Sequence, residues 1–514
     1  MMGMINKRLD QLSQDKPLQD KCGIVALLGK TYSNSLPLAL LAAGGVQHRG
    51  QQGAGIALCT KRGVKYHTGN GLLKDIFTSQ VVDTLDRPCR WVMVHCRYGT
   101  NGGYDKRNLQ PCAVKSKEGI PISVVHNGEF VATEKLRSLL LKKFPDDISD
   151  TYLFAQLLAE TEGVNWDKRV IDALSRVRGA YSLIIGIEER IYIARDEQGI
   201  RPLIVGRQNG TWIVASETHA LDKIGAKVTR EVKRGEIIRI DSAGITVIKR
   251  GIEGKGNFCD FEWAYFSRPD SLLSTGQREH EGRTPQSWLS ILAFRERCGA
   301  TIANENPLPS ADFVVGLPDS GLGVAMGYAS AMKLPYRQAV IRDHFDPSGN
   351  QRLFMRDDQK KKMQKRVLGK LSLVADPRIW KNAKVVVGDD SIVRSNVATR
   401  MTKAILAAGA REVHWILGFP PVTHPCHLGV SIRSKDELIA AKYNADPAKI
   451  AKKIGATSVY YISHKGFVRA RAQSHLIQIP SDLQDIFLVN GGCGGCLTGR
   501  YPVNKDGTIT KYSK

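Results

Sequence analysis

The sequence predicts two layered domains in tandem: an α+β domain followed by an α/β domain built on a parallel sheet. Three observations carry that prediction. From Cys22 to about Lys255 short apolar segments such as IPISVVHNG, RGAYSLIIGIEERIYIARD and TWIVASE alternate with Gly-containing turns, as strands bounded by turn signals do. One helix interrupts them, DTYLFAQLLAE, with Leu153, Phe154, Leu157 and Leu158 at helical spacing. Later in the chain near-continuous Val/Ile runs alternate with helical segments, the pattern of a parallel sheet with both faces covered.

At 514 residues the chain exceeds one ordinary core, so two domains or slightly more are expected. A hydrophobic content of 42% with 24% charged residues is that of a soluble globular protein. The best apolar run, LPLALLAAGGV, is too short to span a bilayer. The first 21 residues are polar and lack an apolar h-region, which excludes a secretory signal and makes the cytoplasm the expected compartment. The formal charge of +24 fixes no partner by itself. Without zinc-finger spacing, an RNP-type motif or basic-aromatic interleaving, nucleic acid is not the expected partner. Ten cysteines without a secretory signal indicate thiol chemistry or metal rather than disulfides.

Taken in order, the chain divides into a leader (1–21), an α+β domain (22–255), an α/β domain (256–490) and a Gly-rich tail (491–514). The segment RGIEGKGNFCDFEWAYFSRPDSLLSTGQ is a composition break and reads as the crossover. Beyond it ADFVVGLPDSG leads into LGVAMGYASAM, and KVVVGDD leads through SIVRSN into VATRMTKAILAAGA, with VHWILGF as the next buried strand. Ligands of such sheets bind beyond the carboxyl ends of the strands. PDSG and GDDS both fall there.

Cys22 heads the apolar strand CGIVALLG. A lone cysteine there is ordinarily a small buried residue. Removing the 21 preceding residues would instead give it a free α-amino group, which titrates at about 7.7–8.0 and can take the thiol proton. A glutamine substrate then calls for partners at each of its groups. Arg97 in HCRYGT suits the α-carboxylate, and Asp150 in ISDTY suits the α-ammonium. Asn127 and Gly128 in VVHNG offer a side-chain amide and a backbone N–H to an oxyanion. Bland readings coexist: Asp150 is also a good N-cap and Asn-Gly a turn signal.

CGIVALLG, HRGQQGAG, RYGT, HNGEF and SDT, in this order, resemble the class II glutamine amidotransferases of the N-terminal-nucleophile (αββα) fold. Continued through ARDEQGIRPL, VASETHAL, FSRPDS, LPDSG, DDSIVR, THPC and CLTGRYP, the chain is similar to the amidophosphoribosyltransferase family over nearly its whole length after the leader. The resemblance implies a propeptide at 1–21, glutamine contacts at Arg97, Asn127, Gly128 and Asp150, and a phosphoribosyltransferase domain. It also implies amination of phosphoribosyl pyrophosphate, purine nucleotides as inhibitors and a homo-oligomer.

The acidic pair Asp389–Asp390, read alone, is equally a metal site, a helix N-terminal charge or a solvated turn. Phosphoribosyl pyrophosphate explains the pairing: carboxylates accept from ribose hydroxyls and hold Mg²⁺. The resemblance carries magnesium onto Ser320, Asp389 and Asp390, and the following helix offers N–H groups to the 5′-phosphate. The basic run RLFMRDDQKKKMQKRVLGK, otherwise a solvated face, corresponds to the family's mobile loop, with Arg352 and Lys370 over the pyrophosphate. Two departures stand out. Ser395, Asn396 and Val397 replace the usual Gly-Thr-Thr, leaving Ser395 and Asn396 as donors. Asp357 and Asp358 occupy a commonly Pro-containing stretch.

Cys493 and Cys496 form a C-x-x-C pair that alone fits a redox motif, half a zinc site or plain thiols. With Cys259 and Cys426 they match the cluster-bearing branch of the family, which implies a structural [4Fe–4S] cluster; four thiolates also suit zinc. Cys59, Cys89, Cys96, Cys112 and Cys298 carry no assigned role, Cys96 reading as packing. Two other functions fit less of the chain: a diverged glutaminase paralogue serving another acceptor, and a silent scaffold using its charge on a polyanion.

Overall fold

Two antiparallel sheets lie face to face in the computed structural model, which describes residues 22–98, 108–274, 288–342, 371–472 and 477–511. Their strands are β1 (Gly23–Ser33), β2 (Gly53–Thr60), β3 (Gly63–Asn70), β4 (Cys89–Arg97), β5 (Cys112–Lys115), β6 (Pro121–Val131) and β7 (Arg178–Ile187). There follow β8 (Arg190–Arg195), β9 (Ile204–Gln208), β10 (Thr211–Ala215), β11 (Lys227–Glu231), β12 (Ile237–Asp241) and β13 (Gly244–Lys249). One sheet runs β11-β9-β10-β1-β4-β2-β3 and the other β13-β12-β8-β7-β6-β5.

Period-two alternation sorts each strand between two cores. Ile24, Ala26 and Leu28 of β1, Trp91 and Met93 of β4, Val125 of β6 and Ile184 of β7 fill the space between the sheets. Their neighbours Val25, Leu27, Val92 and Val94 face outward onto the helix Leu36–Gly44. On the other side Val124, Leu183 and Ile185 meet the helices Asp150–Glu160 and Trp166–Ser175. The layering is therefore αββα. The expected helix DTYLFAQLLAE is capped by Ser149, whose hydroxyl accepts from Tyr152 N at 3.3 Å. Asp150 is its first helical residue, not its cap.

The second half contains β14 (Phe258–Cys259), β15 (Leu272–Ser274), β16 (Trp288–Ser290), β17 (Phe313–Gly316), β18 (Val340–Arg342) and β19 (Leu371–Leu373). After these come β20 (Lys384–Asp389), β21 (Glu412–Leu417), β22 (Ser458–Tyr461) and β23 (Gly492–Cys493). A parallel sheet runs β17-β20-β21-β22. Val314, Val386 and Ile416 pack on one face beside Val324 and Tyr328 of the helix Gly321–Met332. Val315, Val385, Val387 and Trp415 pack on the other beside Met401 and Ile405 of the helix Asn396–Ala407.

The crossover is not a bare linker. It carries β14 and a π-helical turn, Glu262–Phe266, and buries Phe261, Trp263 and Phe266 in the core shared by both halves. β14 pairs in parallel with β23 near the end of the chain, and Ala132 N donates to Lys505 O at 3.0 Å, so the tail returns to the first domain.

Charge as well as apolar contact fastens the halves. Arg49 Nη1 donates to Glu217 Oε1 at 2.6 Å, and its Nη2 to Glu262 Oε1 at 2.7 Å. Arg201 Nη1 reaches the same Glu262 oxygen at 3.0 Å, while its Nη2 donates to Leu428 O in the second domain at 2.7 Å. All four side chains are fully buried. Removing one member of such a pair leaves an uncompensated interior charge. Glu262→Ala is therefore expected to destabilise the chain by about 3–5 kcal/mol, read from the midpoint of chemical denaturation.

Candidate active site

Cys22 immediately precedes β1 and shares the parity of Ile24 and Ala26, which face the space between the sheets. It is half-buried, and its Sγ lies 3.9 Å from Tyr98 O. Gly23 pairs with Cys96 on β4, so Arg97 ends the adjacent strand beside Cys22. Arg97 has the parity of Met93 and Trp91, and Asn127 that of Val125. Alternation along three strands thus puts Cys22, Arg97 and Asn127 on the inner-facing side of their strands.

Asn127 is fully buried, and among the described residues neither its amide nitrogen nor its amide oxygen has a hydrogen-bond partner. A buried unsatisfied amide is costly, which marks it as a group awaiting a ligand. The Asn-Gly pair is no turn; it lies within β6. Gly128 has φ +151°, and a Cβ there would stand 1.9 Å from Ala180 O on β7. Only glycine fits so close an approach.

The Asp150 carboxylate accepts from Phe130 N and from Thr151 N, each at 2.8 Å. Burial raises its pKa against those bonds, so a cationic ligand group would be welcome there. Beneath Arg97 lies His95, fully buried, with both ring nitrogens unpartnered among the described residues. Burial and the neighbouring Arg97 push it down to about 3, leaving a neutral ring. Cys96 faces outward into the helix-side core and donates to Ala43 O at 3.8 Å, as packing requires. Cys59, Cys89, Cys112 and Cys298 are buried thiols as well.

The second site lies at the carboxyl ends of β17 and β20. Ser320 Oγ donates to Asp390 Oδ1 at 2.5 Å, Ser391 Oγ to Asp390 Oδ2 at 2.8 Å, and Asp390 N to Asp389 Oδ1 at 2.9 Å. Burial raises both carboxyl pKa values, and for Asp389 the adjacent Asp390 charge adds to it. Two crowded carboxylates beside a hydroxyl form an oxygen donor set that a divalent cation would relieve, so these residues fit magnesium. Ser395 stands at the N-cap of the helix Asn396–Ala407 without a side-chain cap bond, and Val397 is half exposed. Arg352 and Lys370 lie outside the described residues, as does the leader.

The four cysteines converge although the sequence scatters them. Cys259 and Cys493 are register partners between β14 and β23. Burial, and after it the charges of the other three, raises the Cys496 pKa; Cys493 is raised by burial, Cys259 and Cys426. Cys426 Sγ accepts from Leu428 N at 3.3 Å and Val430 N at 3.4 Å. A Cβ on Gly495 would strike the Tyr501 ring at 2.2 Å, which explains a glycine inside this pair.

Sequence reasoning missed Arg49, whose Nε donates to Cys22 O at 3.3 Å, and its buried partners Glu217, Glu262 and Arg201. It also missed Arg433 of the second domain, paired with Glu129 at 3.0 Å. Arg49, Arg201 and Glu217 sit inside HRGQQG, GIRPL and ASETHAL, so the motifs flagged them without disclosing their roles.

An αββα sandwich headed by a cysteine, followed by a parallel sheet ending in an acidic pair, defines a glutamine amidotransferase of the N-terminal-nucleophile class joined to a phosphoribosyltransferase-type domain. Residues 103–223 match the model of a glutamine amidotransferase domain. The chain is 33% identical over 500 residues to an amidophosphoribosyltransferase of Synechococcus elongatus, covering 95% of this chain and 92% of that one. It is 32% identical over 531 residues to the amidophosphoribosyltransferase of Homo sapiens, covering 95% and 98%. The glutamine phosphoribosylpyrophosphate amidotransferase of B. subtilis, solved with ADP and GMP, superposes with a TM-score of 0.80 at 30% identity, covering 95% of this chain and 99% of that one. The chain belongs to the amidophosphoribosyltransferase family.

The acidic pair makes stability pH-dependent. A carboxyl whose pKa is raised by folding favours its neutral form in the fold, so stability is lost as pH rises through that value. Without divalent cation the thermal midpoint should fall as pH rises through the raised carboxyl range. Magnesium should raise it more at the higher pH, and Asp389→Asn should flatten both trends.

Proposed function

We propose that the chain converts glutamine and phosphoribosyl pyrophosphate to 5-phosphoribosylamine, glutamate and pyrophosphate, the first committed step of purine biosynthesis. The observation that carries this reading is the union, in one family-length chain, of a cysteine heading an inner-sheet strand and a buried amide without partners among the described residues with a crowded acidic pair on a parallel sheet. Removal of residues 1–21 frees the Cys22 α-amino group, which takes the thiol proton. The sulfur attacks the glutamine amide carbon, and the oxyanion accepts from Asn127 Nδ2 and Gly128 N–H. The α-ammonium returns its proton to the departing ammonia, and water releases glutamate from the thioester. Arg97 and Asp150 hold the α-carboxylate and α-ammonium.

Ammonia then crosses the apolar core shared by the halves, where burial keeps it unprotonated. It displaces pyrophosphate at C1 of the ribose. Asp389 and Asp390 accept from the ribose hydroxyls and, with Ser320, would hold Mg²⁺, which when bound would supply positive charge to offset the pyrophosphate. Ser395, Asn396 and the helix they open donate to the 5′-phosphate. The family resemblance assigns the pyrophosphate to Arg352 and Lys370, which lie outside the described residues.

Cys259, Cys426, Cys493 and Cys496 hold a structural [4Fe–4S] cluster in this reading. Four thiolates suit a cluster or zinc alike, and the resemblance to the cluster-bearing branch of the family favours the cluster. The ADP and GMP of the B. subtilis relative support purine nucleotides as ligands here, and the family supports a homo-oligomer. No helix among the described residues is long and apolar enough to cross a membrane, in keeping with a cytoplasmic enzyme. The unsatisfied Asn127 amide argues against a silent scaffold, for which it would be pure cost.

The leader-free protein should release pyrophosphate only when both substrates are present. Glutamate formed with no effect on phosphoribosyl pyrophosphate would instead mark the diverged paralogue. Cys22→Ala should lose glutamine use yet keep turnover with ammonium. Asn127→Ala should lower the glutamine-dependent rate by about 10²–10³, with little change in denaturation midpoint because the amide makes no bond to the described residues.

A further inference from the structure

One stretch of the second domain touches every site described above. Cys426 lies at its start. Further on, Arg433 Nη1 reaches Glu129 Oε1 on β6 at 3.0 Å, next to Gly128. The Arg433 charge also acts on Asp150. The backbone N–H groups of Arg433 and Ser434 donate to Glu437 Oε1 at 3.0 and 3.2 Å. The other oxygen of Glu437 takes Arg394 Nη2, on the loop that continues from Asp390. Ile439 N then donates to Val393 O at 3.0 Å on the same loop.

We infer that Arg433 is a positioning residue that ties the glutamine-binding strand to the phosphosugar loop: its guanidinium pairs with Glu129, its backbone N–H donates to Glu437, and Glu437 pairs with Arg394. Two ion pairs, Glu129–Arg433 and Glu437–Arg394, are thus joined through the backbone at Arg433. Glu129 is buried and Arg394 largely so, where Coulombic terms are poorly screened. A shift of the loop around bound phosphosugar moves Arg394, and with it Glu437, Arg433 and the strand bearing Asn127 and Gly128. The link is reciprocal: glutamine binding must favour phosphosugar binding by the same factor.

The inference rests on the proposed function, and its test keeps the two apart. Glutaminase kcat and KM for glutamine are measured on the leader-free enzyme with and without phosphoribosyl pyrophosphate. Ammonium-dependent pyrophosphate release is the reference for the second site. Absence of both activities in the unaltered enzyme overturns the proposed function. Presence of both, with no effect of the phosphosugar on glutamine use, overturns the link. Arg433→Ala is expected to shrink the phosphosugar effect on kcat/KM by about tenfold, chiefly through KM, and Arg433→Lys to restore part of it. Glu437→Gln, which leaves the glutamine site untouched, should shrink the same ratio. In the pair Glu129→Gln with Arg433→Ala the losses should be non-additive. Equal loss with and without phosphosugar, or additive losses, would sink the link and leave Arg433 a plain structural contact.

Discussion

The placement of Cys22 depends on a cluster of charges that cannot exist in either half alone. Arg49, Arg201 and Glu217 come from the αββα sandwich, Glu262 from the crossover and the Leu428 carbonyl from the second domain. Each charge is fully buried, so none has water to fall back on. Their pairing is strong only while every partner stays in place. Burial alone would raise the Glu217 pKa, yet His48 and Arg49 hold it well below the usual carboxylate range. Because Arg49 also donates to the Cys22 carbonyl, docking of the halves and placement of the cysteine are one event.

Both sites hold unmet demand, of opposite kinds. At the glutamine end it is polar and neutral: an amide without partners among the described residues, an imidazole kept uncharged by burial, a strand too close to its neighbour for any side chain. At the phosphosugar end it is an excess of negative charge, two carboxylates crowded at a strand end. The first suits an oxyanion that exists only while the amide is being attacked. The second suits hydroxyl donors and a cation that stay bound throughout.

Much of this was legible in the residues. Strand alternation alone gives Cys22, Arg97 and Asn127 a common parity with the inner core, and the Val-rich runs announced the parallel sheet. The C-x-x-C pair and its two distant partners were identifiable only by resemblance, because a register between β14 and β23 leaves no local trace. The charge cluster was illegible for the same reason: Arg49 lies 168 residues from Glu217 and 213 from Glu262. Arg433 and Glu129 are 304 apart. Local signals also competed. Ser149 and Asp150 are both competent caps, and the fold chose the serine. Asn-Gly favours a turn, but pairing of β6 with β7 overrode it.

The parallel pairing of β14 with β23 has a consequence for biosynthesis. Chains fold from the amino end as they are made, so the sandwich can assemble while the partner of β14 is still untranslated. Until Gly492 and Cys493 emerge, that short strand presents an open edge beside an incomplete set of thiols, and open edges invite foreign pairing. A message truncated shortly before its end would thus yield a nearly full-length polypeptide carrying a mark of incompleteness at its centre, where cellular quality control can recognise it.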